Sequence, residues 1–327
     1  MRFDVYGIGN ALLDILVEVP DNLITELNLI KGRQHVISET QSKKLLDKIK
    51  FANVTIAAGG SASNTVATCA LLGLKTAFLG KIGDDEYGAQ YESETKSAGV
   101  YTILHKSKKI TGHVVVLITP DAERTMAVNL GASVDLTAQE VREDDIKNSK
   151  IIHLDGYQIE QVTDVSMHAL QLAKKHHVKV SIDASDAGVV LRNKDKFEHI
   201  IKNNATILFA NEEEAFALTN KKAEEAVAVL GRWCDTAIVK CGKKGSLISH
   251  EGVITMIDCA RAKAIDTTGA GDAYAAGFLY EYVNNMPMEK TGALASILAA
   301  RVVEQIGARL GRDVIKRVRE TKDLNSN

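Results

Sequence analysis

The chain has 327 residues, of which 45% are hydrophobic and 25% charged, and its formal net charge is −2. This length and composition allow a large buried core, in one large α/β domain or in two smaller ones. A charge so close to neutral provides no basic surface for nucleic acid or for an anionic membrane. The cysteines form no CxxC pair and the histidines no metal-ligand spacing, so neither a disulfide framework nor a zinc site is indicated.

The first part of the chain predicts short strands separated by helices. Apolar runs predict strands at 12–19, 35–38, 112–118 and 125–128, and helical patterns lie at 40–50, 61–72 and 86–98. We expect these strands to form a small sheet, assembled as a lid from segments at about 12–38 and 101–129. Asp4 and Asp14 interrupt the first apolar stretch, which therefore resembles neither a signal peptide nor a membrane span. We expect a cytoplasmic protein.

The second part of the chain alternates strands with helices. Strand-like runs lie at 151–155, 178–183, 206–210 and 236–240, and helical patterns lie at about 160–177 and through about 233. This alternation predicts a mainly parallel sheet covered by helices, in which ligands bind beyond the carboxyl ends of the strands. No repeat or Pro-rich linker divides the chain, so we predict a single α/β domain over residues 1–327 that carries the small lid.

A glycine-rich run, AspThrThrGlyAlaGlyAsp at 266–272, precedes a stretch of small and apolar residues. Its glycines permit a sharp turn and close backbone approach, and the free N–H groups of a helix start suit a phosphate. Gly269, Ala270 and Gly271 would therefore bind an anion. Asp272, in the first turn, could accept the proton of an attacking hydroxyl. An ordinary loop and an acidic helix start would explain the same residues.

A second group of residues predicts a ligand pocket near the N-terminus. Asp14 lies among apolar residues, where an unpaired carboxylate is costly, so backbone donors or substrate hydroxyls should satisfy it. In GlyGlySerAlaSerAsn, Gly59 and Gly60 end an apolar strand, and Asn64 lies one helical turn further. A helix capped by Ser61 is the alternative reading, but it leaves Asn64 unexplained.

GlyIleGly at 7–9 follows a strand and could suggest a dinucleotide-binding turn. Leu12 stands where that fingerprint requires a third small residue, and a β run rather than a helix follows. The sequence therefore does not favour a Rossmann dehydrogenase.

The two motifs occur in an informative order, with GlyLysIleGlyAspAspGluTyrGly at 80–88 and AsnGluGluGlu at 211–214 between them. Together they resemble the ribokinase family, also called the PfkB carbohydrate kinase family, along nearly the whole chain. The resemblance implies a ribokinase-like α/β fold, with a Rossmann-like, mainly parallel sheet flanked by helices and a small β-sheet lid. It also implies an ATP-dependent kinase that uses Mg²⁺.

The resemblance assigns expected roles near the acceptor. Asp272 would be the general base, and Asp14, Gly60 and Asn64 would bind the substrate. Arg124 in the lid would reach the transferring phosphate, although on its own it could be a solvated loop charge.

Further expected roles concern ATP and cations. Asn211 and Glu214 would organise Mg²⁺ through its waters, although ordinary helix capping also favours these residues and makes the motif weak on its own. Gly242 and Gly245, in what could be a plain hairpin turn, would lie beside ATP. Asp266 and Thr268 resemble the monovalent-cation loop of potassium-activated relatives, an expectation that fails if potassium and a large organic cation support equal activity.

The acceptor is predicted from the opening motif. GlyIleGlyAsnAlaLeuLeuAsp is most similar to the GlyXaaGlyAsnProLeuLeuAsp of adenosine kinases, although Ala11 and Thr268 depart from their pattern. We predict phosphorylation of an adenosine-like nucleoside, with a ribose, fructose or related sugar kinase as the alternative and a non-catalytic nucleotide or sugar sensor as a distant one. We expect no nucleic-acid or membrane partner, and either a monomer or a homodimer.

Overall fold

The computed structural model describes residues 2–121 and 123–324, with the side chains given as far as residue 320. The strands are β1 (Phe3–Ile8), β2 (Leu12–Glu18), β3 (Gln34–Val36), β4 (Val54–Gly59), β5 (Thr76–Gly83), β6 (Tyr101–Ser107), β7 (Gly112–Ile118), β8 (Arg124–Asn129), β9 (Ser149–Asp155), β10 (Lys179–Asp183), β11 (Ile207–Asn211), β12 (Thr236–Lys240), β13 (Ser246–His250) and β14 (Val253–Ile257). The helices are α1 (Asp21–Glu26), α2 (Glu39–Ile49), α3 (Ser61–Leu72), α4 (Glu86–Ser97), α5 (Glu143–Lys147), α6 (Gly156–Gln161), α7 (Thr163–Lys175), α8 (Ala187–Arg192), α9 (Lys194–Asn204), α10 (Glu212–Thr219), α11 (Ala223–Leu230), α12 (Ala270–Val283), α13 (Met288–Val302) and α14 (Arg312–Leu324).

The larger sheet has nine strands in the order β14-β13-β12-β11-β10-β9-β1-β5-β6. The strands from β12 to β6 pair in parallel, and β13 and β14 extend the sheet beyond β12 by antiparallel pairing. The interior strands β1, β9 and β11 are almost continuously buried, as expected when helices cover both faces of a parallel sheet. The predicted ribokinase-like fold class is therefore confirmed.

The smaller sheet has five strands in the order β3-β8-β7-β2-β4. Its outer face packs against α1 and α2 through side chains such as Ile15, Leu45 and Leu117. Alternate residues of the same strands, including Leu16 and Val116, face a cavity above the larger sheet. This sheet therefore covers the carboxyl ends of the parallel strands, and we call it the lid.

The lid differs from the predicted segments at two places. β6 (Tyr101–Ser107), placed in the predicted segment 101–129, pairs with β5 and forms an edge of the larger sheet. β4, which was not predicted as a lid strand, pairs antiparallel with β2. Its apolar run predicts a strand that ends at Gly59, but a local pattern does not show which sheet the strand joins. The single-domain organisation stays a prediction.

Two helices rich in small residues bring the two sequence motifs together. α3 and α12 pack against each other on one face of the larger sheet, where Ala62, Val66, Ala275 and Ala276 are buried. Small side chains let helix axes approach closely. The first turns of α3 and α12 consequently meet below the lid. No helix in the described part of the chain is long and apolar enough to cross a membrane.

Candidate functional site

A cavity of about 880 Å³ lies between the lid and the carboxyl ends of the parallel strands. This volume is within the range of about 300–1,000 Å³ for sites that bind small molecules. Most of the predicted site residues line it: Asp14, Gly60, Asn64, Asn211, Glu214, Gly242, Gly245, Asp266, Thr268, Gly269, Ala270, Gly271 and Asp272. Gly59 and Arg124 do not line the cavity themselves but lie beside residues that do.

Asp272 is held in the first turn of α12 by two donors from α3. Ser61 Oγ donates to Asp272 Oδ1 at 2.7 Å, and Asn64 Nδ2 donates to Asp272 Oδ2 at 3.0 Å. Burial raises the pKa of Asp272 to about 6, although these two hydrogen bonds oppose the shift. Near neutral pH, the carboxylate is therefore largely ionised and yet more basic than an exposed aspartate, which suits a general base.

The loop before Asp272 has the geometry of an anion site. Gly269 has φ of 77°, and a Cβ there would lie 2.6 Å from backbone atoms of Ala308. A helix leaves the N–H groups of its first turn without intrahelical partners, at the positive end of its dipole. The Ala270 N–H donates to the Thr267 carbonyl oxygen at 3.2 Å, whereas within the described part of the chain those of Gly269, Gly271 and Asp272, which line the cavity, have no backbone acceptor. The Lys240 ammonium, paired with Asp183, also approaches this loop, because its Nζ lies 3.1 Å from the position of a Cβ on Gly271.

Asp14 lies on β2 and faces the cavity from the lid. No donor in the described part of the chain forms a hydrogen bond with its carboxylate, although Arg309 contributes a favourable charge. Burial raises the pKa of Asp14 to about 7 against the effect of Arg309. A Cβ on Gly59 would lie 2.5 Å from Asp14 Oδ2, so glycine makes room for the carboxylate. Gly60, with φ of 90°, would place a Cβ 2.2 Å from the Asn10 carbonyl oxygen.

Asp266 connects three parts of the molecule. Its Oδ1 accepts from the N–H and the Oγ1 of Thr268, its Oδ2 accepts from the N–H of Gly307 at 2.9 Å, and it forms an ion pair with Arg124 of the lid. Burial favours the neutral acid, but Arg124 and the other donors outweigh it and lower the pKa of Asp266 to about 2. The structure therefore pairs Arg124 with the carboxylate predicted to bind a monovalent cation.

Asn211 and Glu214 form a reciprocal helix cap at the start of α10. Glu214 accepts from the N–H and the side-chain amide of Asn211, whose Oδ1 in turn accepts from the Glu214 N–H. Burial raises the pKa of Glu214 to about 7. The capping alternative is thus realised, and the carboxylate still lines the cavity.

The nearby acids leave no direct metal cage. Lys240 Nζ lies 3.0 Å from Asp183 Oδ2 in a buried ion pair. No group of three or more His, Cys, Asp or Glu side chains among the described residues could hold a metal ion. Glu214 is held in its helix cap and Asp183 in its ion pair with Lys240. Both carboxylates therefore fit a metal that arrives on the phosphates of a nucleotide and keeps water molecules between itself and the protein.

Gly242 and Gly245 lie in the turn between β12 and β13, at the end of the cavity farthest from β6. Both have positive φ, 55° and 88°. A Cβ on Gly245 would lie only 1.9 Å from the Ile257 carbonyl oxygen. The hairpin alone thus requires glycine at 245, whereas at 242 a Cβ would meet nothing within 4 Å.

Two basic residues of the site were not among the predicted ones. Lys240 ends β12, and its buried pairing with Asp183 depends on the packing of β12 and β10 on either side of β11. Arg309 donates to Asn64 Oδ1 at 2.9 Å from the segment between α13 and α14. The sequence around Arg309 carries no motif, so no pattern could have indicated it.

Comparisons with known proteins agree with this geometry. Residues 35–314 match the model of the pfkB family carbohydrate kinases. The chain is 29% identical to a 5-dehydro-2-deoxygluconokinase of Bacillus subtilis, covering 93% of this chain and 90% of that protein. It is 28% identical to a ribokinase of Haemophilus influenzae, covering 84% and 90%.

A solved structure of an adenosine kinase from Sinorhizobium meliloti superposes with a TM-score of 0.89 at 30% identity, covering 98% of this chain and 100% of that one. The relatives thus include both nucleoside and sugar kinases. The family match spans most of the chain and both motifs. The chain therefore belongs to the pfkB family of carbohydrate kinases, which are phosphotransferases that act on hydroxyl groups.

Proposed function

We propose that this kinase transfers the γ-phosphoryl group of ATP to a primary hydroxyl of an adenosine-like nucleoside. One observation carries the proposal: Asp14, Asn64 and Asp272 converge on a single cavity whose lid presents an apolar face. The first two residues supply polar contacts for a ribose, and Asp272 supplies the base. The lid supplies a surface for a flat ring.

The polar part of the site matches a ribose. The Asp14 carboxylate has two acceptor oxygens without protein donors in the described chain, and a cis diol can donate to both. The primary hydroxyl of the same sugar would then reach toward Asp272. Asn64 donates directly to Asp272 and lines the same cavity as Asp14.

The apolar part of the site favours a base over a bare sugar. The lid side chains that line the cavity are mostly aliphatic, and a free sugar would leave them facing its hydroxyls. A nucleobase has an apolar face that removes such surface from water, at about 25 cal/mol per Å² buried. The aliphatic residues of this face are Leu12, Leu16, Val36, Val114, Val116, Met126, Val128 and Leu130.

In the proposed mechanism, Asp272 accepts the proton of the primary hydroxyl as that oxygen attacks the γ-phosphorus in line. The bond from this phosphorus to the bridging oxygen breaks, and ADP leaves. The N–H groups of Gly269, Gly271 and Asp272 hold the transferring phosphoryl group, and the Lys240 ammonium lies behind them. Mg²⁺ bound with ATP would supply further positive charge for the transferring group, with Glu214 and Asn211 contacting its waters. Most of the rate enhancement would come from positioning and charge stabilisation.

Arg124 links the lid to the glycine-rich loop at 266–272, which we call the anion loop. Its ion pair with Asp266 and its hydrogen bond to Thr268 Oγ1, at 3.2 Å, bridge the lid to the loop. A lid held in this position excludes water from the transferring phosphoryl group and so limits ATP hydrolysis. The role of Asp266 and Thr268 in binding potassium stays a prediction, and Arg124 already supplies a positive charge there.

The activity should depend on pH in a defined direction. The pKa values of Asp272 and Asp14 are raised to about 6 and about 7, and both carboxylates must be ionised in the free enzyme. We therefore expect kcat/KM to be constant above about pH 8 and to fall with acidification, with a slope approaching two protons below about pH 6. Initial rates between about pH 5 and pH 9 test this. A profile that stays flat down to pH 5 would contradict the proposed ionisation states.

The substrate is tested by Mg²⁺-dependent release of ADP from ATP, with the product mass determined. The panel is adenosine, inosine, guanosine, ribose, fructose and fructose 6-phosphate. We expect turnover with a nucleoside and a phosphate added at its primary hydroxyl. Turnover confined to sugars would overturn the nucleoside proposal while retaining the catalytic residues.

A sugar kinase is the second candidate, and two observations favour it. Thr268 gives the anion loop the motif of sugar kinases. The ribokinase and the 5-dehydro-2-deoxygluconokinase resemble the chain about as closely in sequence as the adenosine kinase does. In this reading, Asp14 would bind two hydroxyls of a free sugar.

A further inference from the structure

Arg309 reaches the centre of the site from a part of the chain that carries no motif. It lies in the segment between α13 and α14, and its carbonyl oxygen accepts from Gln305 Nε2 at 2.7 Å. Two residues earlier, the N–H of Gly307 donates to Asp266. The segment is thus fixed to the anion loop, and the Arg309 side chain extends from it toward α3.

The guanidinium group of Arg309 is held by several acceptors. Nε donates to Asn64 Oδ1 at 2.9 Å, Nη2 donates to Ser63 Oγ at 2.7 Å, and Nη1 lies 3.4 Å from Thr95 Oγ1. Ser63 is itself anchored, because the Tyr91 hydroxyl donates to its Oγ at 2.6 Å. The planar, forked group therefore has one orientation, which a lysine could not reproduce.

This orientation determines which end of the Asn64 amide faces Asp272. A carboxamide has an acceptor oxygen and a donor nitrogen of nearly equal size. Arg309 can only donate, so it requires the oxygen, and the nitrogen is left to donate to Asp272 Oδ2. A flipped amide would set its oxygen against the carboxylate and its NH₂ against the guanidinium, and both contacts would be repulsive.

We propose that Arg309 is a positioning residue for phosphotransfer, which acts through Asn64 to keep that amide donating to Asp272. The inference rests on the proposed function, since it assumes that Asp272 is the base. Arg309 need not touch the acceptor or ATP. Its effect is on the orientation of the base and on the charge near Asp14.

The charge of Arg309 gives the proposal a second consequence. It is the main nearby charge that opposes the rise in the pKa of Asp14 caused by burial. Without it, Asp14 would be protonated at a higher pH. A flipped Asn64 would likewise favour the protonated form of Asp272. Loss of Arg309 should therefore move the acidic limb of the kcat/KM profile to higher pH.

A double-mutant cycle tests the proposal. Arg309→Met should lower kcat by about 10- to 100-fold, because small displacements of reacting groups can cost this much. In the Asn64→Ala background, Arg309→Met should lower kcat by less than about twofold, because the residue through which Arg309 acts is gone. Arg309→Lys keeps the charge but not the fork. The acidic limb of its kcat/KM profile should therefore lie at the wild-type pH, whereas its kcat should lie between those of Arg309→Met and the wild type.

Arg312→Met is the matched control, since Arg312 lies three residues away and donates to the Ser97 carbonyl oxygen on the surface. It should leave kcat and the pH profile unchanged. The proposal would be overturned if the effects of Arg309→Met and Asn64→Ala on kcat multiply. It would also be overturned if Arg309→Met leaves the acidic limb of the kcat/KM profile unmoved. If Arg309→Met does not fold, the same cycle is run with Arg309→Lys, and the outcome for kcat alone decides, because this variant keeps the charge that sets the pH profile.

The cycle also separates this proposal from the proposed function. If Asp272→Asn retains full activity, the general-base mechanism fails, whatever the cycle shows. If Asp272→Asn is inactive but Arg309 and Asn64 act independently, only the positioning role of Arg309 fails.

Discussion

Asp272→Asn is expected to lower kcat by about 100- to 10,000-fold, the range that general-base catalysis contributes. The amide cannot accept the proton of the attacking hydroxyl, although it has nearly the same shape as the carboxylate. The acceptor KM should change by less than about threefold, because Asp14 and the lid still bind the substrate. Steady-state kinetics with saturating ATP and Mg²⁺ measure both parameters.

The stability of the same variant is the control for this experiment. The pKa of Asp272 is higher in the fold than the ordinary value of an aspartate, so the folded protein binds this proton more tightly than the unfolded chain. The charged carboxylate consequently lowers the stability at pH values above its folded pKa. Asp272→Asn should therefore unfold at a temperature no lower than the wild type at about pH 7.5. Full activity in a folded Asp272→Asn protein would contradict the mechanism.

Asp14→Asn is expected to raise the acceptor KM by about 10- to 150-fold, which corresponds to the loss of one hydrogen bond to a charged group, about 1.5–3 kcal/mol. An amide has one acceptor oxygen, and its NH₂ group would face the second hydroxyl of the diol. A second measurement compares the best acceptor of the wild type with an analogue that lacks one of the two hydroxyls. The analogue should be poor for the wild type, whereas Asp14→Asn should distinguish the two compounds much less.

Glu18→Gln is the matched control for this experiment, because Glu18 lies on the same strand and is exposed to solvent at its end. It should leave KM unchanged. A wild-type enzyme that uses both compounds equally well would show that Asp14 does not bind the diol.

The fold was predictable wherever a strand or helix has a clear pattern in its own local sequence. The strands β9 and β12 are apolar runs bounded by polar residues, and α3 begins directly after two glycines. The strand β4 was predicted from its apolar residues, but its place in the lid was not, because that place depends on pairing with β2. Long-range pairing of this kind leaves no trace in a local window of sequence.

The residues of the candidate site fall into the same two groups, those in local motifs and those whose contacts depend on long-range packing. Asp14, Asn64 and Asp272 stand in recognisable motifs, and the structure brings all three to one cavity. The contact between Arg309 and Asn64 joins residues 245 positions apart and depends on where the segment after α13 comes to lie. The pairing of Arg124 with Asp266 likewise depends on how the lid meets the loop. Sequence shows which groups are present, whereas packing decides which of them are partners.

The segment from Gly307 to Arg309 has a consequence for the synthesis of the protein. It supplies the Gly307 N–H to Asp266, packs Ala308 against Gly269 and extends Arg309 to Asn64. Contacts between such distant parts of a chain require the closure of long loops, which slows their formation. The ribosome must therefore add residue 309 before the anion loop and the acceptor pocket can take their final form. A nascent chain that already contains both motifs still lacks these three contacts.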